Sequence, residues 1–152
     1  MQSSYRRHIY TDVQYSIREA FKKVSDIPMK FIRNGEPSPF KEMPVYHLSE
    51  HDVRYDMIAK QRESVRIVLE YRVELFAKDL IELKRMQGEI TDFILFETVE
   101  YKHHKGGKVL GRLDVKPAFM SFEYLKETNR DSDHYRKFMM IEVEVIVHKN
   151  NN

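Results

Sequence analysis

Seven histidines and 24 acidic residues are the groups through which this chain could hold a metal ion or move a proton. The adjacent pair His103-His104 precedes Lys105-Gly106-Gly107. On a strand, neighbouring rings point to opposite sides, so the pair is expected to lie solvated beside a turn and to share no ion. His47, Glu50 and His51 are close in sequence, but on a strand Glu50 faces away from the two histidines. Glu100 with Asp114-Val115-Lys116 supplies the residue types of a metal-dependent nuclease, two acids for a hard cation and a lysine beside the attacked phosphate. In a chain with 33 % charged residues, an acid two places from a lysine is commonplace, and a solvated strand edge is the expected reading. Gly106-Gly107-Lys108 lacks the spacing and the following helix of a phosphate loop. No Ser/His/Asp set is visible, and neither catalysis, a cofactor nor a bound metal is expected.

Tyr5, Arg6, Arg7, Tyr10, Tyr15, Arg18, Lys22 and Lys23 interleave aromatic and basic groups, as binders of single-stranded nucleic acid do. Tyrosines five apart are turned by about 140° on a helix. They make a rim around an apolar stripe rather than one stacking platform. With 26 basic and 24 acidic residues the net charge is +2, which gives no field for a polyanion. No specific nucleic-acid partner is expected. Apolar stretches of three or four residues fall far short of the ~20 that a membrane helix needs, so no membrane partner is expected either. Met1 to His8 turns amphipathic at once, and no secretory leader is expected. Cysteine is absent, which excludes disulfides and thiolate metal sites.

The elements that must position these residues follow from periodicity. Ile9, Val13, Ile17, Ala20, Phe21 and Val24 recur at helical steps and predict a helix over 5–24. Ile27-Pro28 ends it, and a short strand over 29–32 follows. Residues 43–55 and 64–73 predict two strands, the second with Val65, Ile67, Leu69, Tyr71 and Val73 on one face and Arg66, Glu70 and Arg72 on the other. Asp56 to Glu63 is expected at the tip of a long projecting hairpin. A second helix is expected to follow at once over 75–95, weakened by Gly88. Strands at 96–101 and 108–113 flank a turn at Gly106-Gly107, and 118–125 pairs with 137–147. The expected architecture is α+β: a mainly antiparallel sheet with two amphipathic helices packed on one face and long projecting hairpins. One domain is expected over 1–149, with 150–152 as a frayed tail.

This order of elements resembles the tail terminator family of long-tailed bacteriophages. The resemblance is carried by the helix Arg6 to Val24, the proline-containing strand Phe40 to Tyr46, the apolar strand Val65 to Val73 running into the helix Leu75 to Leu95, and the closing strands Phe119 to Tyr124 and Lys137 to Val147. It implies a structural virion protein, without catalysis, that forms a homohexameric ring on the tail tube. Such a ring stops polymerisation and offers the head-joining surface. The implied partners are other copies of the chain, the tail tube protein and a head-tail connector or neck protein. The implied location is the head-proximal end of the tail, after assembly in the host cytoplasm. Another head-tail joining or tail-completion protein, or a small metal-dependent nuclease or nucleic-acid-binding domain, is the alternative. The two hairpin tips are natural arms for a head-to-tail contact. Arg54, Tyr55, Lys60, Arg62, His103 and Lys105 are therefore the expected interface residues, chosen by their position on the arms.

Overall fold

The strict alternation of the central strands decides which side of the sheet is dry. In β3 (Ser64–Ala77) the side chains of Ile67, Leu69, Tyr71, Val73, Leu75 and Ala77 point to one face and join the main core. In β6 (Tyr135–His148), Val145, Val143, Ile141 and Met139 lie directly opposite Ile67, Leu69, Tyr71 and Val73 and bury on that same face. Both helices close over it. α1 (Ile9–Phe21) contributes Ile9, Val13, Ile17, Ala20 and Phe21, and α2 (Leu80–Phe96) contributes Leu83, Met86, Ile90, Phe93 and Ile94. Phe21 meets Tyr46 edge-on at 4.8 Å and Phe93 at 5.3 Å, which ties α1, the sheet and α2 into one aromatic contact.

The computed structural model describes residues 5–32, 42–57, 64–126 and 135–149, with 119–126 described by backbone alone. The remaining elements are a 3-10 turn at Tyr5–His8, β1 (Met29–Phe31), β2 (Val45–Met57), β4 (Val99–Lys102) and β5 (Val109–Lys126). Six strands form a curled sheet in the order β1-β2-β3-β6-β5-β4. β1 runs parallel to β2, and every other pair is antiparallel. The curl brings both edge strands, β1 and β4, against α1.

The opposite face is a lattice of both charges. Arg66 Nε lies 2.9 Å from Glu144 Oε1, Arg136 Nη2 lies 3.2 Å from Glu74 Oε2, and the Arg72 guanidinium sits 4.0 Å over the Phe138 ring. The long arginine stems cover apolar surface while their heads pair across strands. No helix covers this side among the described residues.

The observed elements depart from expectation in three places. The strand expected to end at Val73 continues to Ala77, and α2 starts at Leu80 rather than at residue 75. Leu75 and Ala77 keep the two-residue alternation inward, while Phe76 turns to the other face and packs with Met43 and Val45 in a second small core. The strands expected at 108–113 and 118–125 are one strand, β5, which pairs with β4 through Leu113 and with β6 from Asp114 onward. Pro117 does not end it, because the ladder shifts register there. Finally, the helix expected over 5–24 is shorter at both ends: Tyr5–His8 is a 3-10 turn, α1 runs from Ile9 to Phe21, and Val24 packs half-buried from the turn beyond it. Of the expected hairpin tip, residues 58–63 lie outside the described residues, as does the tail 150–152.

Candidate functional site

Asp12 stands one position ahead of Val13 on the buried side of α1, and its carboxylate is fully buried. A buried carboxylate needs partners, since unpaired it would be costly by several kcal/mol. The turn between β4 and β5 supplies them. Asp12 Oδ2 lies 2.9 Å from His103 Nδ1, and Oδ1 lies 2.6 Å from His104 Nδ1. The backbone N–H of His104 donates to Oδ1 at 2.8 Å. Three donor groups thus converge on one carboxylate.

Backbone geometry explains why two adjacent rings can face the same way. His103 has left the strand and opens a tight turn, in which its N–H donates to the Lys108 carbonyl at 2.8 Å and its carbonyl accepts from the Gly107 N–H at 3.0 Å. Gly106 and Gly107 supply the positive φ angles, +85° and +72°. Ser16, one helical turn after Asp12, fastens the start of this turn to α1: its Oγ accepts from the Lys102 N–H at 2.8 Å and donates to the Asp12 carbonyl at 2.6 Å. The His8 ring stands 5.4 Å from that of His103 and 5.3 Å from that of His104, and Tyr5 meets His103 edge-on at 4.8 Å. Burial, with the nearby Asp12 charge adding to it, pushes the Tyr101 hydroxyl up to about 12.

The solvated histidine pair expected from the sequence is therefore corrected: His103 is 12 % and His104 24 % exposed, both held by Asp12. His103 is likewise not an outward arm residue, because the turn folds back on α1 and its ring packs on Tyr5 and Asp12. Lys105, in the same turn, is exposed. Arg54 and Tyr55 lie exposed on the outer half of β2. Arg54 Nη1 stands 3.9 Å from Glu142 Oε1, and the Tyr55 hydroxyl is 2.6 Å from that of Tyr10 on α1. Lys60 and Arg62 lie outside the described residues. The acids and lysine of the nuclease reading do not converge on one site: Lys116 Nζ lies 3.1 Å from Asp114 and 3.5 Å from Glu144 on β6, while Glu100 stands opposite Arg112. His47 is buried and packs on the Phe76 ring at 4.8 Å, and His51 faces Glu70 at 3.7 Å.

Beyond its short pairing with β1 at Tyr46–Leu48, β2 continues to Met57 with its outer edge unpaired among the described residues. The helix α2 carries Ile81 at one end, 84 % exposed, and Phe96 at the other, 78 % exposed. Phe96, Glu100 and Arg112 line an open groove of about 700 Å³ between the end of α2 and the β4–β5 ladder. No family model matches the chain, and no curated protein does.

Proposed function

We propose that the chain is a structural protein that assembles with copies of itself into a ring capping a phage tail tube, in the manner of the tail terminators whose element order it resembles. The observation that carries the reading is the open edge of β2. From Glu50 to Met57 the strand is largely exposed, pairs among the described residues with β3 on one side only, and ends in Tyr55 and Met57, which are 56 % and 57 % exposed. Such an edge offers a row of backbone donors and acceptors to a neighbour's strand. His51, Asp52, Arg54 and Asp56 along it limit pairing with the wrong chain.

The hairpin that this edge belongs to is the projecting arm of the proposal, with Arg54, Tyr55, Lys60 and Arg62 as its contact residues and Lys105 beside the second turn. A closed ring needs two different complementary surfaces on each copy. Ile81 and Phe96, about 22 Å apart along α2, are apolar groups standing in water away from that edge. The charged sheet face suits the contacts to the tube protein and to the neck protein, since charges of both signs set partner and register. In this reading the protein acts by shape and contact, at the head-proximal end of the tail, without catalysis.

Met57→Asp and Phe96→Asp test the two surfaces. Each is expected to abolish assembly measured by light scattering while leaving the unfolding free energy within about 0.5 kcal/mol, as for exposed positions generally. Assembly that survives both substitutions overturns the assignment of these surfaces.

A further inference from the structure

The Asp12 cluster offers chemistry that a ring has no need of. We propose that Asp12, His103 and His104 form a binding site for a divalent first-row transition metal, zinc above all. The inference stands apart from the reading of the chain as a ring protein.

Two imidazoles and one carboxylate are a donor set that zinc accepts readily, and each of the three residues places a ligand atom within 4.8 Å of the others. Bonds of about 2.0–2.1 Å in a tetrahedron set ligand atoms about 3.3 Å apart. Each carboxylate oxygen holds one ring, Oδ2 at 2.9 Å from His103 Nδ1 and Oδ1 at 2.6 Å from His104 Nδ1, and one ligand atom from each residue lies within 4.8 Å of the others. An ion between them asks for shifts of about 1 Å in the two rings and the carboxylate. A fourth position remains for water, with the exposed His8 ring alongside.

Preorganisation distinguishes this group from histidines that meet by chance on a surface. Asp12 is fixed by α1, both histidines by the closed Gly106-Gly107 turn, and the two elements are tied together through Ser16. The ligands therefore need little gathering on binding, and little conformational entropy is lost. The His104 N–H that donates to Asp12 Oδ1 can remain as the outer contact that orients the carboxylate. Proton balance is simple. Each Nδ1 gives up the hydrogen it directs at Asp12: a neutral ring regains one at Nε2 from solvent, and an imidazolium releases it.

The test uses the full chain, stripped with a chelator, and titrates zinc by calorimetry and cobalt(II) by visible absorption. The expected result is one saturable equivalent per chain, a tetrahedral cobalt spectrum, and a zinc-dependent rise in melting temperature that the chelator reverses. Asp12→Asn and His104→Ala are expected to remove all three signals. His104 is partly exposed, so its variant gives the answer if Asp12→Asn does not fold. No saturable binding in the unsubstituted chain, or binding that His104→Ala retains in full, would overturn the proposal, the latter by placing the metal on other histidines.

Discussion

Tyr101 shares β4 with the start of the histidine turn, and its hydroxyl is held neutral by burial and by the Asp12 charge. The unfolded chain releases this proton near pH 10, whereas the folded chain keeps it to about 12. Above pH 10 the folded state therefore binds more protons, and stability falls as pH rises through that window. Tyr46, buried against Glu89, and Tyr71, buried in the sheet, are raised in the same direction. Denaturant unfolding at a series of pH values is expected to show stability declining from pH 10 to 12, with a shallower decline for Tyr101→Phe. An unchanged slope in that variant would mean that Tyr101 titrates as if in water. At this scale the sequence was least informative. Asp12 and the histidines lie 91 and 92 residues apart, and nothing local pairs them. A signal did exist: Asp12 and Ser16 sit beside Val13 and Ile17, so two polar residues at helical spacing flank an apolar stripe. Their partners became definable only once the curl of the sheet had brought β4 onto α1.

Among the elements, α2 is the one whose start is set by identifiable side chains. Asp79 caps it by accepting from the Glu82 N–H at 2.8 Å, and Glu82 reaches back to the Lys78 N–H at 2.9 Å. Gly88 lies mid-helix, exposed, with nothing within 4 Å of an added Cβ. Thermal or denaturant unfolding is expected to show Asp79→Ala costing about 1 kcal/mol and Gly88→Ala gaining up to about 1 kcal/mol. A loss at Gly88→Ala would mean that the position matters for a contact made outside the single chain. Most elements were legible because their periods are clean: the stripe of α1 and the alternation of β3 and β6 each name their buried face. Boundaries were less so. Leu75 and Phe76 fit a helical pattern and a strand pattern equally well, and the choice fell to Met43 and Val45, which give Phe76 a core on the far face. Pro117 reads as a break until a register shift in the ladder accommodates it.

For the whole molecule, the sheet is dry on the side that two helices cover and charged on the other, and among the described residues the edge of β2 extends past its pairing with β1. The α+β class and the placement of both helices on one face could be read from the order of patterns alone. The proposed assembly could not, because closure depends on the angle between copies, which no single chain encodes in its local pattern. The proposed role at this scale is a ring that ends a tube. The direct measurement is electron microscopy of tail tube protein polymerised with and without the purified chain, scoring tube length and the structure at tube ends. Short tubes, each ended by a sixfold ring of this protein, are the expected result. Tubes that grow to the same length with the chain present, and whose ends carry none of it, would contradict the account.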